Sequence, residues 1–254
     1  MRHQHANGRQ QLWPRRAGPE GVPHMFKLLV LGSVAILLGA SDLHWVIVSS
    51  EPHHRPVFEN DRIRVLNVVL PVGQTTLYHR HANDLAGVTI TDSPVRTEVL
   101  DSSAAGGVMV TNDAAGPDGD AWFERFASAP VIHRVSNTGH RDVHIVAVEL
   151  LAAADAGPGS GPFGQIPGYT VNVQNERVRI LRTFLAPGEY REHTHSTGYV
   201  VISLSRGHVD SISGSAHANI GLAPGFVYWG EAHTKHALRN VGADRIELVE
   251  VEFN

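Results

Sequence analysis

Six histidines are spaced so that they can hold a metal ion three at a time. His79 and His81 form a His-x-His pair, and His193 and His195 form another. Each pair is followed further on by a lone histidine with an asparagine four positions later, His133 with Asn137 and His236 with Asn240. In extended chain, residues i and i+2 point to the same face. The members of each pair therefore project together, where a third imidazole from a neighbouring strand can join them. Three imidazoles leave coordination positions open to water or substrate, which is the arrangement of catalytic sites, whereas closed structural sites use four protein ligands. Imidazole suits iron, copper, zinc and nickel. The expected cofactor is thus a divalent ion (Fe, Mn, Zn, Cu or Ni), held by His79, His81 and His133, by His193, His195 and His236, or by both sets.

The elements that must position these side chains also come twice. Residues 60–73 read NDRIRVLNVVLPVG and residues 175–188 read NERVRILRTFLAPG, roughly 115 residues apart. That period is the size of a domain and too long for a solenoid repeat. Residues 62–70 alternate apolar and polar, as a half-buried strand does, and Pro71-Val72-Gly73 reads as a turn. Residues 77–81, 85–91, 95–100, 121–126, 131–135 and 143–150 read as further strands. Residues 102–120 are small, Gly-rich and acidic, and read as an exposed loop. Residues 152–168 are a Gly/Pro-rich linker. The strand pattern then restarts at 178–185 and continues at 199–204, 208–212, 225–229, 236–239 and 246–253. Many short strands with Gly/Pro turns and no helical period mean an all-β chain built as two sandwiches or barrels. Closing each barrel removes its exposed edges.

Gly73-x5-His79-x-His81 followed by His133-x3-Asn137 resembles the two motifs of the cupin superfamily. The second copy, with Gly188 before His193 and Pro224-Gly225 before His236, is similar with one residue fewer. The resemblance covers roughly residues 57–151 and 169–254. It implies a bicupin, two tandem cupin-type β-barrels (double-stranded β-helix or jelly roll), with domains at 53–151 and 169–254. It also implies metal ligation by the six histidines together with a glutamate from the first motif. That glutamate is missing: Leu85 and Tyr199 stand four positions after His81 and His195. Asp84, Glu192 and Glu231 are the nearby carboxylates able to act as acid or base, and His233 is a spare ligand for the second copy. Asn137 and Asn240 read as turn formers that bond nearby backbone. Arg62/Arg64 and Arg177/Arg179 read as exposed strand faces, Trp122 and Trp229 as packing residues, and His140, His144, His208 and His217 as surface.

The remaining features bound the class. There is no cysteine, so thiolate metal sites, disulfides and a Cys nucleophile are excluded. Basic and acidic residues number 21 and 25, with no basic block, so no nucleic-acid footprint exists. No phosphate-cradling or dinucleotide-binding glycine motif occurs. Met25-Phe26-Lys27 and the apolar run 28–40 read as a secretory leader after an extension at 1–24, with an uncleaved signal-anchor as the alternative. A periplasmic or secreted protein is expected, touching a membrane only if the leader persists, and acting as monomer or homodimer. Three functions fit such a chain. It is a metalloenzyme of dioxygenase or isomerase type on a small organic substrate, a non-catalytic cupin that binds a sugar, phenolic or metal, or a structural protein. Superfamily resemblance alone does not choose among them.

Overall fold

The computed structural model describes residues 44–100, 107–113, 117–152, 163–164, 166–213 and 215–254. The leader-like segment and most of the linker lie outside the described residues. In the first half the strands are β1 (Val46–Ile47), β2 (His54–Glu59), β3 (Ile63–Leu70), β4 (His79–His81), β5 (Leu85–Thr91), β6 (Val95–Leu100), β7 (Val108–Asp113), β8 (Ala121–Glu124), β9 (Val131–Asn137) and β10 (Val143–Leu150). In the second they are β11 (Thr170–Gln174), β12 (Val178–Leu185), β13 (Tyr190–Thr194), β14 (Tyr199–Ser203), β15 (Gly207–Ser213), β16 (Ala216–Leu222), β17 (Val227–Gly230), β18 (Lys235–Asn240) and β19 (Ile246–Phe253). Among the described residues no helix is long and apolar enough to cross a membrane.

Each half is a pair of facing sheets. Sheets β1-β4-β9-β6-β7 and β2-β3-β10-β5-β8 form the first barrel, and β13-β18-β15-β16 and β11-β12-β19-β14-β17 form the second. The expected loop at 102–120 is corrected in part, because β7 pairs with β6 over six residues there. None of its side chains is buried, so no burial pattern marks it in the sequence.

The central strands are buried on both faces, which explains their nearly continuous apolar runs. Ile63, Val65, Val146 and Val148 turn outward from the first barrel and Val178, Ile180, Val249, Val251 and Phe253 outward from the second. They meet as one core between the barrels. Fully burying such a side chain is worth roughly 1.5–3 kcal/mol, so this shared core holds the two halves together. Phe58 stacks on Trp229 across this seam at 5.5 Å, and Asp84 pairs with Arg177 at 3.2 Å. Residues on the alternate positions point into the barrels, Leu66, Val68 and Ala147 in the first and Leu185, Tyr199 and Leu248 in the second.

The turns before the His pairs repeat in detail. Gln74 N–H donates to Pro71 O and Glu189 N–H to Ala186 O, both at 3.0 Å. Gly73 and Gly188 occupy positive φ, 74° and 77°, as the third position of such a turn requires. Asn137 and Asn240 do bond nearby backbone: the Asn137 amide donates to Leu70 O and Arg141 O, and that of Asn240 to Leu185 O and Asp244 O. Each asparagine thus ties the strand that carries the third histidine to the turn that precedes the first two.

Candidate metal centres

In the first barrel, β4 and β9 pair so that His79 stands opposite His133. Their Nε2 atoms lie 3.0 Å apart, and the His81 ring is 5.0 Å from each of the other two. His79 Nδ1–H donates to Leu77 O at 2.9 Å, which leaves Nε2 with its lone pair facing the group. His81 Nδ1 is buried with no hydrogen-bond partner. Burial, followed by the neighbouring imidazoles, drives the three pKa values down, that of His79 to about 4. They are therefore neutral at pH 7, the form that binds metal.

His54 joins them, a residue the motifs do not include. It opens β2, is buried, and sets its ring 4.4 Å from His79 and 6.1 Å from His81. His54 Nδ1 bonds Glu51 Oε2 at 2.6 Å, and Glu51 also accepts the backbone N–H groups of His53 and Leu77. The four histidines line a cavity of about 340 Å³. Its other walls are mainly apolar, including Val68, Leu70, Leu85, Trp122, Phe126 and Ile145. Phe126 packs on the His81 ring at 5.0 Å. Trp122 is thus a cavity wall, whereas Trp229 packs in the seam.

In the second barrel, His193 faces His236 across β13 and β18. The Nε2 of His193 is 2.9 Å from that of His195 and 2.8 Å from that of His236. Two ligands bound at about 2.05 Å and at right angles lie about 2.9 Å apart, so these spacings fit edges of one coordination sphere. The missing glutamate is supplied from β19. Glu250, fully buried, places Oε2 3.2 Å from His195 Nε2 and 3.6 Å from His193 Nε2. Tyr169 Oη–H donates to its other oxygen at 2.8 Å. His195 Nδ1–H donates to Glu252 Oε1 at 2.8 Å, so its Nε2 and the Glu250 oxygen are two acceptors facing each other. A proton or a cation must join them. Burial works to lower the His195 pKa, but its bonds to Glu250 and Glu252 outweigh this and raise it. Burial tends to raise the Glu250 pKa, yet His193 and His195 hold it below the usual range. The donor set of three imidazoles and one carboxylate fits a divalent metal, whose binding would displace that shared proton.

The carboxylates named as acid or base lie elsewhere. Asp84 is spent in the seam, bonded to Arg177 and to the Ala127 N–H. Glu192 is exposed and pairs with Lys235 at 2.8 Å, and Glu231 is exposed and accepts the Trp229 indole N–H. His233 is exposed at a positive φ of 58° and donates only its backbone N–H to His195 O. Arg177 and Arg179 are buried rather than exposed, because Asp84 and Glu252 face them. His144, expected at the surface, is half-buried and bonds Asn67.

Glu124, which the sequence does not single out, shares the cavity-facing side of β8 with Trp122. Among the described residues its carboxyl makes no hydrogen bond or ion pair. Burial alone lifts its pKa to about 7. The sign follows: a carboxyl whose folded pKa is raised costs stability increasingly as pH climbs from 4.5 towards 7. Glu124→Gln should therefore raise the melting temperature more at pH 8 than at pH 5.5. Equal gains at both pH values would contradict this placement.

No family model and no curated protein matches the chain. Solved structures do. The oxalate decarboxylase of Lactobacillus farciminis is 12% identical, with 77% of this chain and 78% of that one covered at a TM-score of 0.53. The Bacillus subtilis oxalate decarboxylase, whose Mn(II) centres have been characterised, is 11% identical, covering 77% and 70% at 0.52. A cupin domain from Bordetella pertussis Tohama I is 26% identical, covering 36% of this chain and 98% of that one at 0.32. The chain therefore shares with the two decarboxylases the fold of paired β-barrels.

Proposed function

We propose that the chain is an exported metal-dependent enzyme of oxygenase type whose first barrel is the reaction chamber. The observation that carries this reading is the cavity: buried imidazoles with lone pairs turned inward, at the wall of a space of about 340 Å³ that also holds an unpaired carboxyl. Such a volume suits a small organic molecule. Among the described residues no Arg or Lys lines it, so a dianion such as the oxalate of the neighbouring decarboxylases would find no fixed positive side chain there. A neutral, flat substrate with a phenol or enol oxygen matches the walls better. Export rests on the leader-like sequence at 25–40.

A divalent metal held by His54, His79, His81 and His133 would supply a Lewis acid for the substrate oxygen and, as iron or copper, a site for dioxygen chemistry. The chain's own residues do the rest. Trp122 and Phe126 offer aromatic faces to a ring. Val68, Leu70, Leu85 and Ile145 exclude water. Glu124, with a pKa near 7, can take the proton of a phenol or enol and return it, which is what a general base at neutral pH must do. The second barrel, with all four donors buried and Tyr199 stacked on His195 at 3.6 Å, favours a site that binds metal without turnover.

The test is aerobic incubation of the metal-reconstituted protein with a panel of phenols, enols and β-diketones, following oxygen uptake and product mass. Turnover that falls by about 10²–10⁴-fold in Glu124→Gln and vanishes in His79→Ala supports the reading. Metal-loaded protein that binds panel members with thermal stabilisation but forms no product would instead favour a binding cupin.

A further inference from the structure

The two barrels are copies, but their interiors do not offer the same donors. Ala147 stands opposite Leu66 in the first barrel, and Glu250 stands opposite Leu181 in the second. Leu66 and Leu181 are the same position of the repeat. The first barrel therefore has a methyl group where the second has its carboxylate ligand. The strand before each repeat shows the reverse exchange. His54 stands opposite Val68, and Tyr169 lies just before Thr170, which pairs with Arg182. Both precede the same Asn-Asp/Glu-Arg lead-in by the same number of residues. His54 sets its ring against His79, and Tyr169 sets its ring against His193 at 5.0 Å.

The supporting groups move with the ligands. In the second barrel Glu252 holds His195 through Nδ1. Its counterpart in the first barrel, Glu149, bonds Arg64 and Asn83 instead and leaves His81 Nδ1 without a partner. Glu51 takes over that task on His54. Its buried carboxylate bonds His54 Nδ1 and so fixes the ring, leaving Nε2 as the nitrogen free for a metal.

We infer that the first barrel binds metal through four imidazoles, His54, His79 and His81, whose ligand nitrogens all lie within 4.8 Å of one another, and His133, whose Nε2 is 3.0 Å from that of His79, and that the two barrels therefore select different metals. This rests on the proposed metal-dependent function and sharpens it. Four neutral nitrogens leave the full dipositive charge uncompensated and favour copper, nickel or zinc. Three imidazoles with Glu250 neutralise one charge with a hard oxygen donor and accept manganese or iron.

The experiment uses the whole chain loaded with one equivalent each of Cu(II) and Mn(II), read by elemental analysis and pulsed EPR. The wild type should hold both ions, with a copper signal coupled to four imidazole nitrogens. His54→Gln should remove one of these couplings, and Glu51→Gln should weaken copper binding by about 10–100-fold. His193→Ala should lose manganese and keep copper. Counting nitrogens in the wild type needs no substitution, so a misfolded variant does not decide the outcome. Three coupled nitrogens in the wild type, or a copper spectrum and affinity indifferent to His54→Gln, would overturn the four-imidazole site while leaving metal-dependent function intact. Failure to retain either ion would overturn both.

Discussion

Replacing Glu250 with glutamine is expected to cut the second barrel's affinity for Mn(II) by more than the roughly 10–100-fold that loss of an outer-shell partner costs, with the first barrel's metal unaffected. The reason is geometric and electrostatic together. Glu250 is the only carboxylate in the second group of candidate ligands among the described residues, and Tyr169 holds its second oxygen in place. Glutamine keeps the size but removes the charge. The apo protein should change as well. A histidine whose folded pKa is raised contributes stability that is complete below the unfolded value of 6.5 and lost as pH rises through the folded value. His195 owes that shift to Glu250 and Glu252, so Glu250→Gln should shrink this window. Calorimetric titration with Mn(II), and NMR titration of His195, read the two effects separately. An unchanged affinity would remove Glu250 from the site.

Arg179→Met is expected to destabilise the protein by about 3–5 kcal/mol, because it strands a fully buried Glu252 beside His195. The matched change in the first barrel, Arg64→Met, should cost less. Arg64 is partly exposed, its pair with solvent-facing Glu59 is worth about 0–1 kcal/mol, and its other partner, the buried Glu149, keeps a hydrogen bond from Asn83. Denaturant midpoints of the two variants measure the contrast. Equal losses would mean that burial does not separate the two positions. Arg179→Met should also weaken second-barrel metal binding, since Glu252 fixes the His195 ring through Nδ1.

The histidine pairs, their turns and the distant asparagines were legible because each is a local pattern: parity along a strand, a glycine at positive φ, a side chain that reaches backbone four residues away. What was not legible depends on short strands with little burial contrast. β2 and β11 carry register shifts, and β11 is largely exposed, so no alternation announces them, yet the chain there brings His54 and Tyr169 to the sites. Extending the repeat backwards from Asn60 and Asn175 would have aligned those two residues. Glu250 was hidden for another reason. The superfamily resemblance directs attention to the position after the second histidine, where Tyr199 stands. The available signal was the run LVEVEF, in which two glutamates alternate with valines in a strand otherwise apolar enough to be buried. A buried strand spends charge only where a partner waits. Glu124 gave no signal, because nothing near it in sequence says that β8 turns Glu124 and Trp122 into a cavity.

The most direct measurement is elemental analysis of the purified protein after reconstitution, beside His79→Ala and His193→Ala. The account predicts close to two metal ions per chain in the wild type, with each variant losing one of them and the other retained. Metal content that stays the same in both variants, or a wild type that holds no metal after exposure to iron, manganese, zinc, copper and nickel, would contradict it.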